Sequence, residues 1–138
     1  MKKSISTSIE QSRRLLSCGV DPKTADMVWL NRGQYPAFLS FNEGCNRAIP
    51  EVGDVPAWSL SALLALLPKE IYDDDTDSYY FSLSKEFPLS EEYGVAYIPC
   101  WEKGDAIVRK RYDSPIEACV QMIEWLCESG YSLNKIEE

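Results

Sequence analysis

Histidine is absent from this chain of 138 residues. The absence excludes the Ser–His and Cys–His nucleophile pairs of many hydrolases and every metal site that uses imidazole. The seven glycines form neither a G-x-G-x-x-G motif nor a Walker A loop, so no phosphate-binding loop is predicted. Acid–base catalysis by carboxylates stays open, but no spacing of the acidic residues locates it. We therefore predict no catalytic residue, no cofactor and no metal-binding residue.

Basic residues are in the minority, because 14 Lys and Arg against 22 Asp and Glu give a net charge of −8. This surplus repels phosphate backbones, so nucleic acid is not expected as a partner. The basic cluster Arg109–Arg111 falls on a predicted strand opposite Tyr97 and Trp101, a combination that could bind single-stranded nucleic acid. Strand alternation divides these charges between two faces, and aromatic side chains on antiparallel strands mostly pack on a core. Core packing is the preferred interpretation.

Long apolar runs are also missing. The most apolar stretch, Leu60–Leu67, is far shorter than the roughly 20 residues that a membrane-spanning helix needs. Polar residues follow Met1-Lys2-Lys3, where a signal peptide would be apolar, so a cytoplasmic protein without a membrane partner is expected. The odd number of cysteines and the lack of a C-x-x-C pair predict reduced, mostly buried thiols. The cysteines are Cys18, Cys45, Cys100, Cys119 and Cys127.

The clearest local pattern predicts a central helix. Its leucines recur at i, i+3, i+4 and i+7, which is one face of a helix; they are Leu60, Leu63, Leu64 and Leu67. Ser59 is placed to cap the first turn, and Pro68 cannot continue the helix. The remaining surface is also apolar or small, so the helix is expected in the interior.

Capping signals predict two further helices. Thr7 and Glu10 fit a capping box at the start of the first helix, which Gly19 would end. Ser114, Pro115 and Glu117 give the same kind of start to the last helix. Gly130 would end it. Asp21-Pro22 predicts one or two additional turns, to about Met27.

Alternating and β-branched or aromatic segments predict the strands. The predicted strands are Met27–Leu30, Ala37–Phe41, Ser78–Phe87, Tyr93–Trp101 and Ala106–Tyr112, with a loop at 45–57. Pro99 cannot donate to a ladder, which predicts an edge or a bulge for its strand. The whole chain, 1–138, is interpreted as a single α+β domain. We expect a two-layer fold in which an antiparallel sheet of about four or five strands packs against the central and C-terminal helices, with the N-terminal helix at the side.

Asp73, Asp75 and Asp77 match the first three ligand positions of an EF-hand loop. The sixth position is Ser78 where glycine is needed, and the twelfth is Ser84 where glutamate is needed. A solvated acidic loop is the preferred interpretation, and weak binding of calcium or magnesium is the minor hypothesis.

Aromatic residues are numerous, with four tryptophans and eight tyrosines. Alternation places Tyr80 on the face opposite Tyr79 and Phe81. If the sheet has one covered face, Tyr80 is exposed together with whichever of Tyr97 and Trp101 shares its side. These three residues form a candidate interface for a homodimer or a protein partner. The alternative is a monomer in which the loop at 45–57 covers the patch.

The segments Thr7–Ser12, Asp21–Met27, Pro56–Leu64 and Ser114–Ala118 together resemble a group of small proteins of unknown activity that prophages and other mobile elements of gut bacteria encode. The resemblance implies a cytoplasmic accessory protein of bacterial or phage origin, and it carries over no site residue. With the missing catalytic set and the many aromatics, it favours a non-enzymatic protein-interaction module. The alternatives are a small hydrolase or transferase that works through carboxylates, and an acidic mimic of nucleic acid.

Overall fold

The computed structural model describes residues 5–31, 38–41, 53–85, 92–100 and 105–134. Within these residues the helices are α1 (Ile9–Ser17), α2 (Leu60–Leu66) and α3 (Pro115–Glu128), and a short 3-10 helix covers Pro22–Thr24. The strands there are β1 (Met27–Leu30), β2 (Phe38–Phe41), β3 (Val55–Ala57), β4 (Glu70–Tyr72), β5 (Ser78–Lys85), β6 (Tyr93–Pro99) and β7 (Val108–Tyr112). The predicted α+β class is confirmed.

Two antiparallel sheets organise the described residues. One has the strand order β4-β5-β6-β7, and the other has the order β2-β1-β3. Helix α3 packs on β6 and β7, α2 packs against α3, and α1 contacts both α3 and β3. The larger sheet and its helices match the predicted two-layer arrangement, whereas the smaller sheet was predicted only as the hairpin of β1 and β2. None of the helices in the described part of the chain is long and apolar enough to cross a membrane.

Strand β3 lies inside the segment that the sequence predicts as a loop. It is three residues long, too short for an alternating pattern to be visible. Pro56 is its middle residue and pairs with Val28 of β1. A proline is tolerated there because β3 is an edge strand of its sheet. In the monomer alternative the loop at 45–57 covers the candidate interface, and residues 45–52 of that loop lie outside the described residues.

Pro99 does not mark an edge strand, so the edge alternative of the edge-or-bulge prediction is wrong. Strand β6 lies between β5 and β7. Its pairing with β7 ends at Tyr97, while Pro99 pairs only with Tyr79 of β5. The proline is therefore the last residue of the strand, beyond the part that is bonded on both sides.

The cap of α1 lies one residue later than predicted. The Ser8 side chain accepts from the Gln11 backbone N–H at 3.1 Å, and the Gln11 side chain accepts from the Ser8 N–H at 2.8 Å. Gly19 ends the helix with φ +91°, and the Val20 N–H donates to the Leu15 carbonyl at 3.1 Å. The end of the helix is as predicted. The turn that follows is a 3-10 helix only, and β1 begins at Met27.

Thr7 does not cap α1. Its side chain is fully buried and takes part in a hydrogen-bond network. Its N–H donates to the Trp58 carbonyl at 2.8 Å, and the Trp58 N–H donates to Thr7 Oγ1 at 3.0 Å. Thr7 Oγ1 also shares a hydrogen bond of 2.8 Å with Ser12 Oγ. The Trp29 indole N–H donates to the Thr7 carbonyl at 3.0 Å, and the Trp58 indole N–H donates to Thr24 Oγ1 at 2.8 Å. One buried threonine thus joins α1, β1 and the start of α2.

Three of the four leucines of the predicted α2 face lie on the core, since Leu63 and Leu67 are buried and Leu60 packs against it. Leu63 is fully buried and Leu66 is 2% exposed, but Leu64 is 36% exposed. The prediction that Leu64 is buried is wrong because one side of this seven-residue helix faces solvent. Beyond α3, Asn134 donates to the Ala65 and Leu67 carbonyls at 3.1 and 3.0 Å. These bonds satisfy carbonyls that the end of α2 leaves without helical partners.

The substitutions Leu63→Ala and Leu64→Ala should separate the two sides of α2. Leu63→Ala removes buried methyl groups and leaves a cavity, so we expect the free energy of unfolding to fall by about 2–5 kcal/mol. Leu64→Ala should lower it by less than about 1 kcal/mol, because the side chain is already partly hydrated. Urea denaturation of both variants measures the difference. Equal losses would contradict the described orientation of α2.

The Thr7 network predicts a second stability difference. Thr7→Val keeps the shape of the side chain but leaves the buried Trp58 N–H without its acceptor, which should cost about 1–3 kcal/mol of unfolding free energy. Thr7→Ser keeps the hydroxyl and is the matched control, and it should lose less. The same denaturation measurement applies. A valine variant as stable as the serine variant would show that the hydroxyl does not carry the network.

Candidate functional site

Alternation along β4 and β5 places two tyrosines on the outer face of the larger sheet, the face turned away from α3. Ile71 and Tyr79 are buried and belong to the core that α2 and α3 cover, and Phe81 packs against it. Their neighbours in sequence therefore lie on the other side. Tyr72 is 57% exposed and Tyr80 is 46% exposed. The prediction that Tyr80 lies opposite Tyr79 and Phe81 is confirmed.

The pairing register makes these tyrosines neighbours. Glu70 is opposite Tyr80, and Tyr72 is opposite Ser78. Tyr72 and Tyr80 are diagonal neighbours on adjacent strands, about 7–8 Å apart. On the far side of Tyr80 the opposite residue is Ile98 of β6, which is half-buried. The exposed aromatics thus continue into an apolar side chain of the next strand.

Two arginines share this outer face. Arg109 is opposite Ala96, and Ala96 is opposite Ser82 of β5, two residues after Tyr80 and hence on its side of the sheet. Arg111 follows Arg109 by two residues, and both arginines are exposed. Lys110 lies on the inner side, opposite Val95. The predicted division of the basic cluster between two faces is confirmed.

We call this surface the tyrosine–arginine face; it consists of Glu70, Tyr72, Tyr80, Ile98, Arg109 and Arg111. The Glu70 carboxylate raises the pKa of the Tyr72 phenol through its charge and through a hydrogen bond, which places a negative charge beside the tyrosines. The arginines lie on β7, the strand at the opposite edge of the sheet. Between the edges, Ala96 is 3% exposed. The exposed surface therefore carries an acid and a tyrosine at the β4 edge, Tyr80 and Ile98 in the middle, and two arginines at the β7 edge.

The other two residues of the candidate interface have different outcomes. Tyr97 is fully buried, its hydroxyl donates to the Pro68 carbonyl at 2.8 Å, and burial raises its pKa. It is a core residue and takes no part in the exposed surface. Trp101 lies outside the described residues. Sequence reasoning missed Tyr72 because β4, with three residues, shows no pattern that would separate it from a loop.

A cleft between α1 and α3 is the second candidate site, with a volume of about 590 Å³. It is lined by Glu10, Arg13, Arg14, Ser17, Cys18, Glu124, Cys127 and Glu128. Arg14 donates to Glu117 Oε1 at 2.8 Å and to the Glu124 carboxylate. The predicted capping role of the Glu117 side chain is therefore wrong: Ser114 caps the Glu117 backbone N–H, and the Glu117 carboxylate pairs with Arg14.

The cysteines of this cleft are poor nucleophiles. Burial raises the pKa of Cys18 to about 11, and neighbouring Cys127 and Glu124 act in the same direction. Burial, Glu124 and Glu128 raise the pKa of Cys127. Both side chains are therefore thiols at neutral pH, whereas reactive cysteines need a lowered pKa. The predicted low reactivity of these cysteines is supported. The prediction that the cysteines are mostly buried is only partly met: among the described free cysteines, Cys119 is buried and Cys100 is exposed.

The acidic segment after β4 is a tight turn. Asp73 Oδ1 accepts from the N–H groups of Asp75 and Asp77 at 3.0 and 2.9 Å, and the Tyr79 hydroxyl donates to Asp73 Oδ2 at 3.1 Å. Both carboxylate oxygens of Asp73 therefore accept hydrogen bonds that stabilise the turn. Among the described residues, no group of three or more acidic, cysteine or histidine side chains is arranged to hold a metal ion.

No protein-family model matches the chain, and no curated protein and no solved structure is significantly similar to it.

The raised pKa values of the Cys18 and Cys127 thiols predict that these cysteines are alkylated slowly. A pKa of about 11 in place of 9.0 for Cys18 lowers its thiolate fraction at pH 8 about a hundredfold. The alkylation rate should then rise about tenfold for each pH unit up to about pH 11. Mass spectrometry of peptides after timed treatment with iodoacetamide measures each cysteine, and exposed Cys100 is the internal reference. Modification of Cys18 as fast as that of Cys100 at pH 8 would contradict the described environment.

Proposed function

We propose that this protein is a non-enzymatic interaction module, a cytoplasmic accessory protein of the phage or mobile-element type, that binds a protein partner through the tyrosine–arginine face. One observation carries the proposal: Tyr72 and Tyr80 lie side by side on the outer face of the sheet with about half of each side chain in solvent. A single exposed aromatic is ordinary. Two adjacent ones beside Ile98 form a patch of the kind that marks interfaces.

The composition of the face supports protein binding over other roles. Tyrosine and arginine are enriched among the residues that dominate binding energy at protein interfaces. A tyrosine contributes a large contact area and loses little conformational entropy, because it has only two side-chain torsions. Arg109 adds a long, exposed side chain at the rim of the patch, where a charge influences the choice of partner and the association rate.

The enzymatic alternative has weaker support. A carboxylate mechanism needs at least two acids that converge in a concave site, and the cleft between α1 and α3 does hold Glu10, Glu124 and Glu128. Glu124, however, forms an ion pair with Arg14, and this pair is part of the contact between the helices. The nucleic-acid mimic would need acids aligned along one face. Instead, Asp73, Asp75 and Asp77 are gathered in one turn.

Photocrosslinking from the face tests the proposal. A photoreactive phenylalanine analogue at position 80 should crosslink to protein in cells of the native host, because the Tyr80 side chain would lie within the interface. The same analogue at position 64 is the matched control, since Leu64 is also exposed but lies on α2. Electrophoresis and mass spectrometry of the products give the readout. No crosslink from position 80, or the same products from both positions, would contradict the proposal.

A further inference from the structure

The tyrosine–arginine face carries opposite charges at its two edges. Glu70 lies on β4 and Arg109 on β7, the two edge strands of the larger sheet. The ion pairs among the described residues are those of Arg14 with Glu117 and Glu124, so neither Glu70 nor Arg109 forms an ion pair with another described residue. Three strand spacings separate them, about 14 Å, which is too far for a direct contact within one chain.

This arrangement is self-complementary under a two-fold rotation. In this arrangement two copies pack with their tyrosine–arginine faces together. The two-fold axis lies between the two sheets, runs parallel to the strands and passes midway between β5 and β6. The rotation lays β4 of one copy over β7 of the other, and β5 over β6. Glu70 then lies over the strand that carries Arg109 of the second copy, offset by two residues or about 7 Å along the strand. Two long side chains can span that offset.

The same rotation pairs the apolar residues. Tyr80 and Ile98 are directly opposite each other on β5 and β6. In the two-fold arrangement, Tyr80 of each copy therefore covers Ile98 of the other. Every contact occurs twice, as an isologous interface requires. Sheets that pack face to face in this way lie about 10 Å apart, with side chains filling the space between them.

We infer that the partner of the tyrosine–arginine face is a second copy of this chain, held by Tyr80 against Ile98 and by Glu70 against Arg109, each contact made twice. The inference rests on the proposed function, since it names the partner of the same surface.

The size of the face predicts a weak dimer. The four strands hold 3, 8, 7 and 5 residues. At about 4.8 Å between strands and about 3.4 Å along a strand, they give a surface of roughly 380 Å² for each copy. The total of roughly 750 Å² is below the size of stable interfaces and is typical of weak association. The net charge of −8 on each copy adds long-range repulsion. A dissociation constant in the micromolar range is expected.

Charge reversal tests the inference. In sedimentation velocity from low to high micromolar concentration, the full chain should convert from monomer to dimer. Glu70→Arg and Arg109→Glu should each weaken the dimer at least about tenfold, because each places like charges together. An equimolar mixture of the two variants should dimerise again, since every Glu–Arg contact is restored between unlike copies. Glu70→Arg combined with Arg109→Glu in one chain should also recover the dimer.

Matched controls separate this interface from general charge effects. Arg13→Glu makes the same charge change at an exposed position of α1 and should leave the dimer intact. Melting midpoints and circular dichroism should stay the same in all variants, because positions 70 and 109 are exposed. Should a reversal variant fail to fold, Arg109→Gln, which removes the charge without reversing it, should still weaken the dimer.

Three results would overturn the inference. They are a full chain that stays monomeric throughout, reversal variants that dimerise as well as the full chain, and a mixture of variants that stays monomeric. Crosslinks from position 80 to a different protein, with a monomeric full chain, would overturn the dimer and keep the proposed function. The absence of crosslinks together with a monomer would overturn both.

Discussion

The reciprocal pair of hydrogen bonds between Thr7 and Trp58 holds together parts of the chain that local structure cannot join. Both residues are fully buried, and each backbone N–H donates to an oxygen of the other residue. In a medium of low polarity, such bonds are strong and a missing one is costly. The pair fixes the start of α1 against the junction of β3 and α2. Through Trp29 it also ties β1 to the same point.

The position of α1 in turn determines the contact with α3. Arg14 projects from α1 between Glu117 and Glu124, two residues that lie seven positions apart on α3. One guanidinium thus bridges two turns of the longer helix. The cleft beside this contact is lined by charged groups that are partly engaged with each other and by protonated thiols. These features give the cleft a structural role between the helices, so the outer face of the sheet is the stronger candidate for binding.

A single helical layer explains why the sheet has such a surface. Helix α3 covers β6 and β7 on one side, and the inward residues Val95, Tyr97 and Val108 belong to the core beneath it. Alternation then forces the intervening residues to the other side, whatever their chemistry. On a merely solvated face, polar residues would be expected there. Tyr72 and Tyr80 instead retain large apolar areas in contact with water, which is a cost that binding would remove.

Local signals allowed much of the fold to be predicted. Ser59, Ser114, Gly19 and Gly130 mark helix ends as expected, because a cap depends on a few neighbouring residues. Three-residue strands escaped prediction, since β3 and β4 are too short to show a period. The choice between Thr7 and Ser8 as a cap was also beyond sequence reasoning. Both side chains can accept the bond, and burial against Trp58 decides which one does.

The sequence alone excludes imidazole chemistry and marks the ends of the helices, apart from the start of α1. It also predicts the alternation that separates Tyr80 from Tyr79 and Phe81. Each of these depends on composition or on residues a few positions apart. Tertiary packing places Tyr72 beside Tyr80, and it places Glu70 and Arg109 at opposite edges of one face. Strand order and register are set by the packing of distant segments on a shared core. No local pattern encodes which strands become neighbours.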